Sequence, residues 1–159
     1  MSQALSGAKK LHPRWRRFID NSNLAIEFAM GELYVKQYFP KERKNEVREI
    51  MHQIRQALRD DLATLPWMQP KTRIEAVKKL DLMEERIGYP DRWWDYQGLN
   101  IDRKSYILNM IRANKFLNKH ELTKIGKPVD RGEWAMPPQS VNAYYDPSMN
   151  NINIPPIRS

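Results

Sequence analysis

The chain has 159 residues, with 27 Lys and Arg against 19 Asp and Glu, a formal charge of +8 and no cysteine. That excludes a disulfide framework, thiolate metal sites and thiol catalysis. No stretch approaches the roughly 20 apolar residues that cross a bilayer, and the opening MSQALSGAKKLHPRWRR lacks the apolar run of a secretory leader.

The length suits one domain, and prolines divide it. Six of the eleven lie at 128, 137, 138, 147, 155 and 156, where helix interiors are blocked. Residues 1–127 read as a helical, basic region with a net charge of +9, and residues 128–159 as a loop-and-strand tail. No internal repeat or low-complexity tract is present.

Four helices are expected, taken in order. The first spans about Asp20 to Tyr38, with Leu24, Phe28, Leu33 and Val35 on its apolar surface, Asn21 or Ser22 as its cap, and Phe39-Pro40 as its end. The second follows Pro40, with Val47, Ile50, Met51, Ile54, Ala57, Leu58 and Leu62 as an inward stripe. The third spans about Pro70 to Met83, with Ile74, Val77 and Leu80 inward. The stretch Ile87-Gly88-Tyr89-Pro90-Asp91 reads as a turn. The fourth helix spans about Arg103 to His120, with Tyr106, Ile107, Met110, Ala113 and Leu117 inward, and Gly126-Lys127-Pro128 closes the helical part. In the tail, Val141–Tyr145 and Asn151–Ile154 read as two strands joined by a turn at Asp146-Pro147-Ser148. The fold class is therefore mainly α: a bundle-like segment of about four helices with a C-terminal β-hairpin tail.

Few residues suggest chemistry of their own. The histidines are His12, His52 and His120. His120-Glu121 opens like a zinc-peptidase motif, but Lys124 stands where the second histidine belongs, and an ammonium has no lone pair for zinc. A histidine at a helix end already suits the helix dipole. Asp60-Asp61 and Glu84-Glu85 are sequence neighbours and point apart on a helix, so neither is an acid–base couple. Trp93-Trp94 reads as packing under a loop rather than a ligand platform. Lys9, Lys10, Arg14, Arg16 and Arg17 form a basic cluster around Trp15, which supports at most weak nucleic-acid binding. Elsewhere acids alternate with bases, as on a solvated helix face.

Several stretches together resemble one family, the neprilysin and endothelin-converting-enzyme type of zinc metallopeptidase. They are Met30–Val35 with Tyr38-Phe39-Pro40; Leu65-Pro66-Trp67-Met68; Thr72 with Ala76–Leu80; Ile87–Asp91; Gly126–Arg131 with Glu133-Trp134; and Pro138–Tyr145. They keep the family's order from about residue 3 to about residue 155. The family's usual Asp near position 69 is Gln69 here, and Ile157-Arg158-Ser159 departs from the pattern.

The resemblance implies that this is the later part of the family's N-terminal helical region plus strands leading to the catalytic core. It implies that Asn142 and Ala143 are the substrate-binding Asn-Ala pair, hydrogen-bonding a peptide main chain by strand addition. The family's H-E-x-x-H, further glutamate ligand and transition-state histidine have no counterpart here. We therefore expect a piece of a zinc metalloendopeptidase, truncated before the zinc motif, with no catalytic residue, metal ligand or cofactor of its own and inactive alone. Its expected partner is a peptide substrate, with a second copy or a complementing catalytic part as a further partner. The alternatives are a non-enzymatic, self-associating binding module and weak nucleic-acid binding by the basic N-terminus. Family members are commonly exported, but these residues leave the compartment open.

Overall fold

The computed structural model describes residues 10–156. Lys9 and Ile157-Arg158-Ser159 lie outside the described residues. The elements in order are α1 (Arg14–Tyr38), α2 (Lys41–Thr64), α3 (Pro70–Asp81), β1 (Glu84–Ile87), α4 (Tyr106–Leu122), β2 (Tyr144–Asp146) and β3 (Asn151–Ile154). The chain is mainly helical, as expected, with a small sheet near its C-terminus. Helices α2 and α3 begin directly after Pro40 and Gln69, where the backbone is extended. Gln69 gives its helix no side-chain cap.

The residues group into two compact units. The first takes the described residues up to Met30 together with Asp95–Pro128. Its α1 segment starts six residues earlier than its apolar pattern suggests, at Arg14, so Asn21 and Ser22 lie inside the helix rather than capping it. The arginine-rich first turn is exposed and needs no apolar stripe to be helical, since arginine is a good helix former. The backbone leaves helical geometry at Ile26 (φ −139°, ψ 42°). Just beyond that break, Phe28 N–H donates to the Tyr96 hydroxyl at 3.3 Å. Phe28 is 1% exposed, and Ala25 and Ala113 are also buried. Tyr96 stacks on Phe116 with centroids 5.6 Å apart, and Phe18 meets Tyr106 edge-on at 4.5 Å. Ser105 caps α4 by accepting Leu108 N–H. Asp102 accepts N–H bonds from Lys104 and Ser105 and pairs with Arg112 at 2.8 Å.

The second unit takes Gly31–Trp94 together with the tail from Val129. The two tail strands pair antiparallel, Tyr144 opposite Asn153 and Asp146 opposite Asn151. The sequence pattern did not show β1. It pairs parallel with β3, from Glu84 opposite Asn151 to Ile87 opposite Ile154, and the strand order is β1-β3-β2. Strand β2 also starts later than the expected Val141, at Tyr144. Helix α2 lies along α3 and β1. Val35, Phe39, Met51, Met68, Leu80, Ile87 and Trp134 are buried.

The apolar stripes are only partly covered. Leu24, Leu33, Ile74 and Ile107 are largely exposed, and Tyr106 is exposed in part. On α2, Met51 is buried while Ile50, Ile54 and Leu58 are 55%, 54% and 46% exposed. Spacing reveals which side of a helix is apolar, not whether another element covers its whole width. Conversely, Lys44 is buried in this unit although charged. Its ammonium donates to Tyr89 O at 3.1 Å and to Asp91 Oδ1 at 3.3 Å.

Candidate functional site

The tail is held in place by close backbone approach. A Cβ on Gly31 would stand 2.7 Å from Pro138 Cδ, so only glycine lets the 137–139 turn lie against this end of α1. From that anchor the chain runs through Asn142 and Ala143 into β2.

Strand geometry then sorts the side chains. Glu84, Arg86, Asn151, Asn153, Tyr144 and Asp146 share one face by register. Residues 131–135 lie over it: Arg131 donates to Glu84 Oε1 and to Met149 O at 3.0 and 2.7 Å, and Arg86 donates to Glu133 O. Tyr144 Oη accepts Ala135 N–H at 2.9 Å. The hydrogen bond from Ser148, then the N–H groups of Ser148 and Met149, hold the Asp146 carboxyl below the usual carboxylate range. Glu85, Ile87, Ile152, Ile154 and Tyr145 share the other face, where Arg55 of α2 pairs with Glu85 at 3.2 Å.

Among the described residues β2 has a strand neighbour on one side only. Its outer edge therefore presents backbone donors and acceptors without sheet partners. Asn142 and Ala143 continue that edge and are exposed, as is Val141 at 80%. Continuing the register sets Ala143 against Ile154 and Asn142 against Pro155. Proline has no N–H to give, so the ladder stops where the Asn-Ala pair begins. Asn142 folds back locally, its Oδ1 accepting Ala143 N–H at 2.8 Å. An open strand edge with an amide side chain beside it can add a strand from another peptide, the Asn142 side chain releasing Ala143 N–H as it does so.

The other candidate residues are spread along the described residues, from His12 before α1 to His120 in the last turn of α4. His12 precedes α1, where its carbonyl accepts Arg17 Nε–H at 3.1 Å, and His52 lies exposed on α2. His120 sits in the last turn of α4, and Lys124 pairs with Glu121 at 2.6 Å. The H-E-x-x-H zinc motif does not fit at this position, because a lysine tied to the motif's own glutamate replaces the second histidine. Glu84 and Glu85 point to opposite faces, paired with Arg131 and Arg55. Asp60 accepts from Gln56 within α2. The Trp93 ring stacks on Tyr89 at 6.1 Å, as packing. In the basic cluster, Arg14 lies over Phe18, while Lys10, Trp15, Arg16 and Arg17 are exposed.

Residues 1–90 match the family model of peptidase family M13. The endothelin-converting enzyme homolog of Locusta migratoria is 35% identical over 162 residues, which cover 98% of this chain and 22% of that protein. Among solved structures, the inhibitor complex of Mycobacterium tuberculosis zinc metalloprotease ZMP1 aligns with a TM-score of 0.87 at 39% identity, over 96% of this chain and 23% of that one. PepO from Lactobacillus rhamnosis HN001 aligns with a TM-score of 0.86 at 29% identity, over 97% of this chain and 25% of that one. The chain thus spans about a quarter or less of each of these relatives. Sequence motifs, family model and fold agree: the chain belongs to peptidase family M13, the neprilysin type of metallopeptidase.

Proposed function

We propose that this chain serves an M13 zinc peptidase as its peptide-docking edge. It holds a substrate in extended form, while residues outside this sequence carry the metal and the hydrolytic step. The observation that supports this is the exposed Asn142-Ala143 segment, which leads into β2 along the edge that carries no strand neighbour among the described residues. In the docked state the Asn142 side chain and the Ala143 backbone hydrogen-bond a peptide main chain. Hydrolysis of an amide by this family's chemistry needs a metal to lower the pKa of a water and polarise the carbonyl. The zinc motif is absent from the sequence, so we expect this chain alone not to hydrolyse peptides.

The test combines three measurements on the purified chain: bound zinc, turnover of a quenched fluorescent peptide, and binding of a labelled extended peptide. We expect no turnover, and binding that weakens in Asn142→Ala. Chelator-sensitive cleavage would sink the inactivity; binding indifferent to Asn142→Ala would sink the docking role.

A second reading, association with another copy or with a complementing catalytic part, is favoured by the uncovered Ile50, Ile54 and Leu58 on α2. Apolar surface of this kind marks interaction sites. Light scattering that finds only monomer at high concentration would remove self-association.

A further inference from the structure

Beyond Ala143 the open edge of β2 continues past Tyr145, and a cluster built from three separate segments lies there. Tyr145 is 41% exposed. Its hydroxyl donates to Asn150 Oδ1 at 2.9 Å. The Asn150 Nδ2 group in turn donates to Lys79 O at the C-terminal end of α3, at 3.0 Å. The Asn150 backbone is left-handed (φ 51°), and its carbonyl accepts Glu84 N–H at 3.0 Å. Asn tolerates that conformation better than most residues. One asparagine therefore ties the tyrosine, the helix end and β1 together and fixes the tyrosine ring.

The Lys79 ammonium stands 5.7 Å from the centroid of that ring. Among the described residues it has no acidic partner, whereas Lys78 beside it pairs with Glu75 and Arg55 on the same sheet face pairs with Glu85. An unpaired cation is thus parked over an aromatic face next to an open strand edge. A strand added to β2 puts every second side chain on the Tyr145 face, with Cβ atoms roughly 5 Å from those opposite. An acidic side chain there lies within reach of the flexible lysine stem.

We propose that Tyr145 and Lys79 form a subsite for an acidic side chain of the docked peptide, so that Lys79 sets a preference for Asp or Glu at that position. This rests on the proposed docking of peptides along the β2 edge. Tyr145 supplies a flat apolar wall for the side-chain methylenes, and Lys79 leaves the ring to pair with the carboxylate. An exposed pair of this kind contributes a modest preference, about two- to fivefold, that fades with salt.

The probe is a fluorescein-labelled, acetylated and amidated octapeptide of alternating Thr and Val. A single Glu, Gln or Lys is walked through the Thr positions, and binding to the full chain is read by anisotropy. We expect one position where Glu binds about two- to fivefold tighter than Gln. Lys79→Met should erase that difference and Lys79→Glu should reverse it in favour of the Lys peptide. Asn142→Ala should weaken all the peptides alike. Lys79 is exposed, so circular dichroism should show both Lys79 variants folded. Binding that depends on Asn142 yet never distinguishes Glu from Gln overturns the subsite and leaves the docking edge standing. Binding of no peptide, or binding indifferent to Asn142→Ala, overturns the docking edge and the subsite with it.

Discussion

Tyr89 offers both its carbonyl oxygen and its ring to one ammonium: Lys44 Nζ lies 3.1 Å from the oxygen and 4.0 Å from the ring centroid. Lys44 is 5% exposed and ties α2 to the Ile87–Asp91 turn. Burial lowers its pKa from the usual lysine value, opposed by the hydrogen bond and charge of Asp91. Lys44→Met keeps the stem but orphans the Tyr89 carbonyl, and should cost about 1–3 kcal/mol in urea unfolding. Lys44→Ala should cost more, because a cavity is added. The pH dependence follows from the lowered value. Between the folded value and the ordinary one, the unfolded chain binds the extra proton, so stability rises with pH across that alkaline window. Lys44→Met should lack that rise. Equal alkaline slopes in the two proteins would show that Lys44 carries no penalty for its charge.

The Tyr96 hydroxyl sits at the α1 break as an acceptor for Phe28 N–H. Such breaks in a helix arise where a side chain enters the hydrogen-bond ladder. Tyr96→Phe removes the acceptor and leaves a partly buried N–H facing carbon. The expected loss is about 1–3 kcal/mol, with faster amide exchange localised at Phe28 and Ala29. A variant as stable as the parent, with unchanged exchange at these amides, would show that the kink needs no hydroxyl.

Gly88 and Gly98 separate two reasons for glycine. Both have left-handed backbone, φ 79° and 88°. A Cβ on Gly88 would lie 2.6 Å from Phe39 Cε1, whereas one on Gly98 meets nothing within 4 Å. Gly98→Ala should therefore cost about 1 kcal/mol, from backbone strain alone. Gly88→Ala adds overpacking against a buried ring and should cost about 2–4 kcal/mol. Similar midpoints for the two variants would mean that Phe39 moves aside freely.

The sequence was legible where chain-breaking residues and periodicity agree. Pro40 and Pro70 mark the starts of α2 and α3, and alternation in Asn151–Ile154 marks β3. It was mute where distant partners decide. The β1 segment Glu84-Glu85-Arg86-Ile87 has three charged residues in four and alternates nothing apolar. It is a strand because β3 pairs with it, while Arg131 and Arg55 pair with its two glutamates. Burial of Lys44 has no local signal either, since its partners lie in the turn after β1. Asn142 and Ala143 came from family resemblance, because no spacing rule singles out Asn-Ala. The stop at Pro155 was readable in outline, as Pro155-Pro156 ends the strand pattern, but the register that sets it opposite Asn142 was not. The Tyr145–Lys79 pairing joins α3 to the tail through Asn150 and leaves no trace in the linear sequence.

Asp102 is the group whose titration should be simplest to isolate. Its carboxylate takes the hydrogen bond of Arg112 and the N–H groups of Lys104 and Ser105, and these hold its pKa below the usual aspartate value, Arg112 contributing most. A depressed carboxylate pKa contributes stability above the unfolded value, and that contribution disappears as pH falls through the folded value. Asp102→Asn keeps the shape and removes the charge. The parent should therefore unfold at a higher denaturant midpoint than Asp102→Asn at neutral pH. The two midpoints should converge as the solution is acidified below the ordinary aspartate range, and added salt should shrink the neutral-pH gap because the pair with Arg112 is partly exposed. A gap that stays constant from neutral to strongly acid pH would mean that the carboxylate's charge contributes nothing and that only its shape matters to the turn before α4.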